Sequence, residues 1–150
     1  MIEIRPCTAD DVGRLSPYLL RRFAVQQDGN GTLLLAFRDD TLAGSTLVLM
    51  RSKYEDVHAR LGSLMELNAL EANPQGQGTG TALIAAAEAL AREHASALFG
   101  LAVEHRNRDA RRLYARLGYA SWGHGTVIDR WRDLEGAEHA DPCDYLVKRL

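Results

Sequence analysis

The sequence predicts an α/β fold: a mixed central sheet of about six to seven strands flanked by helices. Three observations predict it. Short apolar runs bounded by turn residues alternate with stretches whose apolar residues recur at helical spacing. Two of the runs are joined by only Arg38-Asp39-Asp40-Thr41, so an antiparallel hairpin stands early in the chain. A glycine-rich loop, Gln75-Gly76-Gln77-Gly78-Thr79-Gly80, lies between a strand and an alanine-rich helix. The length of 150 residues suits one domain spanning 1–150, long enough to bury a core without disulfides or a structural metal.

Ile2 to Arg5 reads as a short strand, punctuated by Pro6. Thr8 then offers an N-cap with Asp11 three residues on, ahead of apolar Val12, Leu15 and Leu19, which predicts one helix. After the polar loop Gln26 to Gly31, Thr32 to Phe37 and Leu42 to Met50 are the hairpin strands. Ser63 to Leu70 is the next strand, ending at Glu71-Ala72-Asn73-Pro74. From Thr79 to about Ala95 the residues are strong helix formers, with Leu83, Ala87 and Leu90 on one face. Ala97 to Val103 is an apolar strand. Asn107 can cap a short helix whose Ala110, Leu113, Tyr114 and Leu117 repeat at i, i+3, i+4, i+7, and Gly118 ends it. Two last strands follow, about Tyr119 to Trp131 and Asp144 to Lys148, separated by the polar stretch Asp133 to Pro142.

Composition excludes several functional classes. Hydrophobic residues make up 46% and charged residues 25%, with a net charge of -2, so the chain has neither the bias of a disordered segment nor a broad electrostatic footprint for nucleic acid or anionic lipid. No apolar run approaches the eighteen or so residues that span a bilayer, and Met1-Ile2-Glu3-Ile4-Arg5 lacks the layout of a signal peptide, so a cytoplasmic protein is expected. Cys7 and Cys143 stand near opposite ends without Cys-x-x-Cys spacing and read as free thiols. The five histidines form no metal-ligand grouping, and no metal is expected.

The glycine loop carries the chemistry. Alternate glycines remove side chains where backbone N–H groups must approach an anion, and the following helix start adds partial positive charge, so the loop is suited to phosphate. A loop that merely turns the chain needs one glycine. Gly80 is followed by Thr81-Ala82 rather than Lys-Ser/Thr, which disfavours a Walker-type nucleotide site. The dinucleotide fingerprint G-x-G-x-x-G fits poorly, since its third glycine falls on Thr81 or Leu83. Glu104 has the spacing of a ribose-binding acid, but the intervening Glu71 to Gln75 and the preceding hairpin oppose a Rossmann unit.

Gln75-x-x-Gly78-x-Gly80 resembles the acyl-CoA signature Q/R-x-x-G-x-G/A of the GNAT superfamily of N-acetyltransferases. Asn107-x-x-Ala110-x-x-x-Tyr114-x-x-x-Gly118-Tyr119 resembles that family's second signature, and the order of elements follows its fold over essentially the whole chain. The first motif position is Gln rather than the commoner Arg, and the region between the first helix and the hairpin is short, so the family's substrate-facing second helix is expected to be reduced. The resemblance implies acetyl-CoA as co-substrate, with its pyrophosphate on the loop Gln75, Gly76, Gln77, Gly78, Thr79 and Gly80 and its pantetheine amides along Ala69 and Leu70. Those strands are expected to splay, Leu70 from Val103, and Asn107 to hydrogen-bond the cofactor arm. Arg106, Arg108, Arg111 and Arg112 either reach the 3′-phosphate or form a solvated helix face.

An alkyl amine with a pKa of about 10.4 is almost wholly protonated at pH 7, so a base aids its attack on the thioester. Glu66 is the first choice, on the strand where some family members carry a catalytic glutamate, with Glu71 and Glu104 as alternatives; against it stands a Glu66 that faces solvent or pairs with an arginine. Tyr114 matches the family tyrosine that assists the departing thiolate, against the alternative of a core aromatic. The expected activity is direct acetyl transfer to a primary amine in a ternary complex; the competing reading is a catalytically idle acyl-CoA-binding or regulatory module. The acceptor, a small-molecule or peptide amine, has no decodable motif. Trp122, Trp131, His124, Asp133, Glu135 and Glu138 either favour a cationic or aromatic amine or serve as surface and homodimer contacts.

Overall fold

The computed structural model describes residues 1–150. Its strands, β1 (Ile2–Pro6), β2 (Gly31–Arg38), β3 (Thr41–Leu49), β4 (Met65–Ala72), β5 (Leu98–Glu104), β6 (Ala120–Ser121), β7 (Val127–Arg132) and β8 (Glu138–Arg149), form an eight-stranded sheet in the order β1-β2-β3-β4-β5-β8-β6, with β7 paired to β8. β1, β2, β3 and β4 are successive antiparallel neighbours. β5 runs parallel to β4, which requires a crossover, and α3 (Thr79–Glu93) supplies it. β2 is apolar without alternation because helices cover both faces. Leu33, Leu35 and Phe37 pack with Leu19 and Phe23 of α1 (Pro17–Gln27), while Leu34 and Ala36 join Leu83, Ile84 and Ala87 of α3. α4 (Arg108–Arg116) adds Tyr114 to the second of these clusters.

Two features of β4 open the sheet at its centre. Its parallel pairing with β5 is confined to Met65–Leu67 against Phe99–Leu101, so beyond Leu67 and Leu101 the strands part, as expected for Leu70 and Val103. Against β3, Ser45 pairs with Glu71 but Leu47 with Asn68, placing an extra residue in β4. Ala69 sits in that bulge at a φ of 55°, a left-handed conformation uncommon for a residue with a Cβ. The bulge leaves the β5-facing edge of β4 without strand partners from Asn68 onward.

Three sequence expectations require correction. The single helix expected after Thr8 is two: a 3₁₀ turn over Ala9–Arg14, with the Thr8/Asp11 capping box formed as expected, and then α1 with Ser16 as N-cap and Pro17 at its start. Pro17 lacks an N–H and disfavours helical backbone at Ser16, so the helix restarts there. The region between α1 and β2 holds no helix, in line with the reduced second helix expected there, and a short helix, α2 (Glu55–Leu61), stands between β3 and β4. The run from Tyr119 to Trp131 divides into β6 (Ala120–Ser121) and β7 (Val127–Arg132), raising the strand number to eight. Finally, β8 (Glu138–Arg149) begins inside the polar stretch expected to be a loop: Ile128 pairs with Pro142 and Trp131 with His139 in a hairpin exposed enough to tolerate polar residues.

Candidate active site

The parted strands carry one cavity on each side of the β4 bulge. The first, of about 540 Å³, is bounded by Leu70 and Ala72 of β4, the glycine loop, and Asn107, Leu113 and Tyr114 of α4. Gln75, Gly76, Gly78 and Gly80 line it directly. Gly78 caps α3 at a φ of 80°, a conformation that side chains rarely adopt, and a Cβ there would meet no protein atom within 4 Å. The first helical bond is donated by Ala82 N to Gly78 O, so the amides of Thr79, Gly80 and Thr81 have no partner within the helix. A free first turn beside an open cavity is an anion site in waiting.

The remaining two loop residues serve it from behind. Thr79 is buried, and its hydroxyl accepts a hydrogen bond from Arg38 Nη2 at 3.2 Å. The same nitrogen donates to Gln77 O at 3.3 Å. In a trans peptide the carbonyl and the next N–H point in opposite directions, so a Gln77 carbonyl held toward Arg38 turns the Gly78 amide toward the cavity. Sequence reasoning missed Arg38. It closes β2 ahead of the Asp39-Asp40 turn, far from the motif it supports, and only the register of the sheet brings it there.

Tyr114 is buried apart from its approach to this cavity, and its ring meets Tyr119 edge-on at 5.9 Å. Burial pushes its phenol up to about 12, so the hydroxyl keeps its proton through the neutral range. Asn107 caps α4 by accepting from Ala110 N at 3.2 Å, and it also lines the cavity, leaving its amide nitrogen free to donate. Of the α4 arginines, Arg111 pairs with Asp144 and Arg112 with Asp109, and both are exposed; Arg116 reaches the cavity wall.

The second cavity, of about 530 Å³, lies under α1, with Asn68 and Ala69 at the bulge, Leu47 of β3, and Asp129 and Trp131 of β7. Tyr18, Arg21 and Arg22 descend from α1 and Lys53 from the segment before α2. Arg22 pairs with Glu71 at 3.1 Å, and Lys53 with Asp129, which also accepts from the Tyr54 hydroxyl. Trp131 thus lines this cavity. Trp122 is instead buried against Tyr145, and His124 stacks edge-on to it. Asp133 is spent on the β7–β8 turn, accepting from the amides of Glu135 and Ala137 and bonding to His139.

Glu66 lines neither cavity. It is fully buried beneath the segment Ser52–Tyr54: Oε1 accepts from Ser52 Oγ at 2.6 Å and from the Tyr145 hydroxyl at 2.7 Å, and Oε2 from Lys53 N at 3.1 Å. Tyr145 reaches it across Gly100, where a Cβ would collide with the ring and hydroxyl. Burial pushes the Glu66 carboxyl above its ordinary value, against the three hydrogen bonds that favour the anion. Glu71 lines the second cavity, whereas Glu104 is exposed and lines neither. No trio of His, Cys, Asp or Glu side chains is arranged for a metal ion, and no helix is long and apolar enough to cross a membrane.

A family model described as the acetyltransferase (GNAT) family matches residues 3–119. No curated protein matches the chain in sequence. Among solved structures, the chain resembles the PaiA N-acetyltransferase of Thermoplasma acidophilum in complex with coenzyme A, at 17% identity and a TM-score of 0.69 over 100% of this chain and 99% of the other. It also resembles a ribosomal-protein-alanine N-acetyltransferase from Brucella melitensis, at 19% identity and a TM-score of 0.71 over 99% of both chains. A GNAT family acetyltransferase from Elizabethkingia anophelis with acetyl-CoA bound aligns at 18% identity and a TM-score of 0.67, over 99% of this chain and 98% of the other. At these identities the likeness is one of fold.

Proposed function

Because the chain belongs to the acetyltransferase (GNAT) family, we propose that it transfers an acetyl group from acetyl-CoA to a primary amine by direct attack in a ternary complex. The observation that carries the reading is the pair of cavities meeting at the Ala69 bulge, one faced by free helix amides and the other by polar side chains. A thioester in the first would be within reach of an amine in the second, and holding both turns a bimolecular step into a local one. An idle binding module has no use for the second cavity.

Coenzyme A pyrophosphate lies against the amides of Gly78, Thr79 and Gly80, and no metal is required because the diphosphate is anchored and not transferred. The pantetheine arm pairs with the unpartnered edge of β4 at Ala69 and Leu70, as a strand pairs with a sheet edge, and Asn107 donates to it. Tyr114 faces the departing sulfur. A phenol near 12 cannot fully protonate a thiolate whose pKa is about 8.5 without an uphill step, so its part is a hydrogen bond to the developing charge. Among the carboxylates weighed as base, Glu71 faces the acceptor cavity directly and takes the amine proton, while Glu66, reached only through other hydroxyls, holds the segment that carries Lys53.

Thiol release from acetyl-CoA with a panel of amines, read together with mass-spectrometric detection of the acetylated product, tests this. Tyr114→Phe is expected to lower kcat by roughly 10² while leaving the KM for acetyl-CoA within a few-fold. Acetyl-CoA binding without thiol release or acetylated product across the panel would leave the idle module as the better account.

A further inference from the structure

Resting on that reading, we infer that the acceptor is a small amino acid: an amine carrying its own carboxylate on an apolar or aromatic body. The cavity under α1 has four cationic side chains, of which three already face a carboxylate: Arg22 with Glu71, Lys53 with Asp129, and Arg132 with Glu138. The fourth, Arg21, does not. Its guanidinium donates only to main-chain carbonyls, to Arg132 O at 2.6 Å and Asp133 O at 3.0 Å. The neighbouring Asp133 carboxylate is turned into its own tight turn and onto His139, away from Arg21.

A guanidinium without a counter-charge at the wall of an open cavity favours a ligand that brings one, and carboxylate is the partner its planar fork fits best. A polycationic acceptor brings no such counter-charge, meets a like charge instead and is rejected. The walls between these groups are Tyr18, Val25, Leu47 and Trp131, and the volume of about 530 Å³ suits a small molecule. Asn68, at the bulge, presents a side-chain amide that can orient the amine.

The test compares leucine and phenylalanine with their C-terminal amides and with spermidine, measuring thiol release from acetyl-CoA and the thermal shift of the CoA-bound protein. The amides carry the same body and a less basic amine, so simple nucleophile chemistry favours them. The site is expected to reverse this, with kcat/KM for the free acids about tenfold or more above that for the amides, chiefly through KM. Arg21→Gln should collapse the acid-to-amide ratio toward one, and Arg21→Lys should keep part of it. Thermal shifts by the acids alone, without thiol release, would uphold carboxylate binding at Arg21 but overturn acetyl transfer, and with it the amino acid's role as acceptor. Release with the amides or spermidine at or above the acids would overturn this inference and leave acetyl transfer standing. No response to any of the three classes overturns it as well.

Discussion

Glu66 is fully buried in β4 beneath the segment Ser52–Tyr54. A glutamate in the middle of an apolar strand is costly to bury unless donors surround it, and the structure supplies three. Burial still dominates and raises its pKa, so the folded state binds the proton more tightly than the unfolded chain does. The stability linked to this proton is fully present below the ordinary glutamate range and is lost as pH rises through the folded value. Glu66→Gln removes that dependence, although with its amide oxygen accepting from the Lys53 N–H its nitrogen faces the Ser52 and Tyr145 hydroxyls, which must turn from donating to accepting at a cost of about 1 kcal/mol. The variant is therefore expected to be the less stable protein at pH 4.5, with the gap narrowing toward pH 8. Urea unfolding at several pH values reads this directly, and a gap that widens with pH would show that the hydrogen bonds outweigh burial.

At the scale of elements, the proposed function requires the glycine loop and α3 to act as one anion-binding unit, and Arg38 holds the loop from behind. Arg38→Gln loses the two contacts to Gln77 O and Thr79 Oγ1, freeing the Gly78 amide to turn from the cavity. The KM for acetyl-CoA is expected to rise about tenfold with kcat little changed, and Arg38→Lys to rescue poorly because an ammonium does not reproduce the fork. A tenfold fall in kcat at unchanged KM would place Arg38 in the chemistry instead. The loop, α3 and α4 were legible because their signals are local: glycines where φ is positive, an Asn cap, and helical spacing. Arg38, Arg21 and Lys53 were not, since strand register and helix docking bring them to the site from segments with no motif of their own. The late start of β8 was hidden for a related reason. An exposed two-stranded hairpin is stabilised by main-chain pairing, so residues such as Glu138, Asp141 and Pro142 sit in a strand without apolar alternation.

Across the whole molecule, the sheet is two halves joined by three residue pairs of β4 and β5, with the α3 crossover packed against the first half. A ligand seated in the parted region contacts both halves and occupies the bare edge of β4. Binding only to the folded state at a hundredfold excess over Kd contributes about 2.7 kcal/mol. For a chain of this length that corresponds to a rise in melting temperature of roughly 5–10 °C. Coenzyme A and acetyl-CoA are expected to produce this shift, and NAD and ATP to produce little, because neither offers an amide-bearing arm to the β4 edge. Where the protection falls distinguishes this account from general tightening. Amide exchange should slow at Ala69–Ala72 and through Gly76–Gly80, while β1, the far edge strand, changes little. Protection spread evenly over β1 to β4, or an equal shift with NAD, would mean that the parted strands are not where the ligand sits. The bulge at Ala69 would then need a structural explanation instead, and none is evident in its packing, since the extra residue interrupts pairing on one side and leaves the other bare.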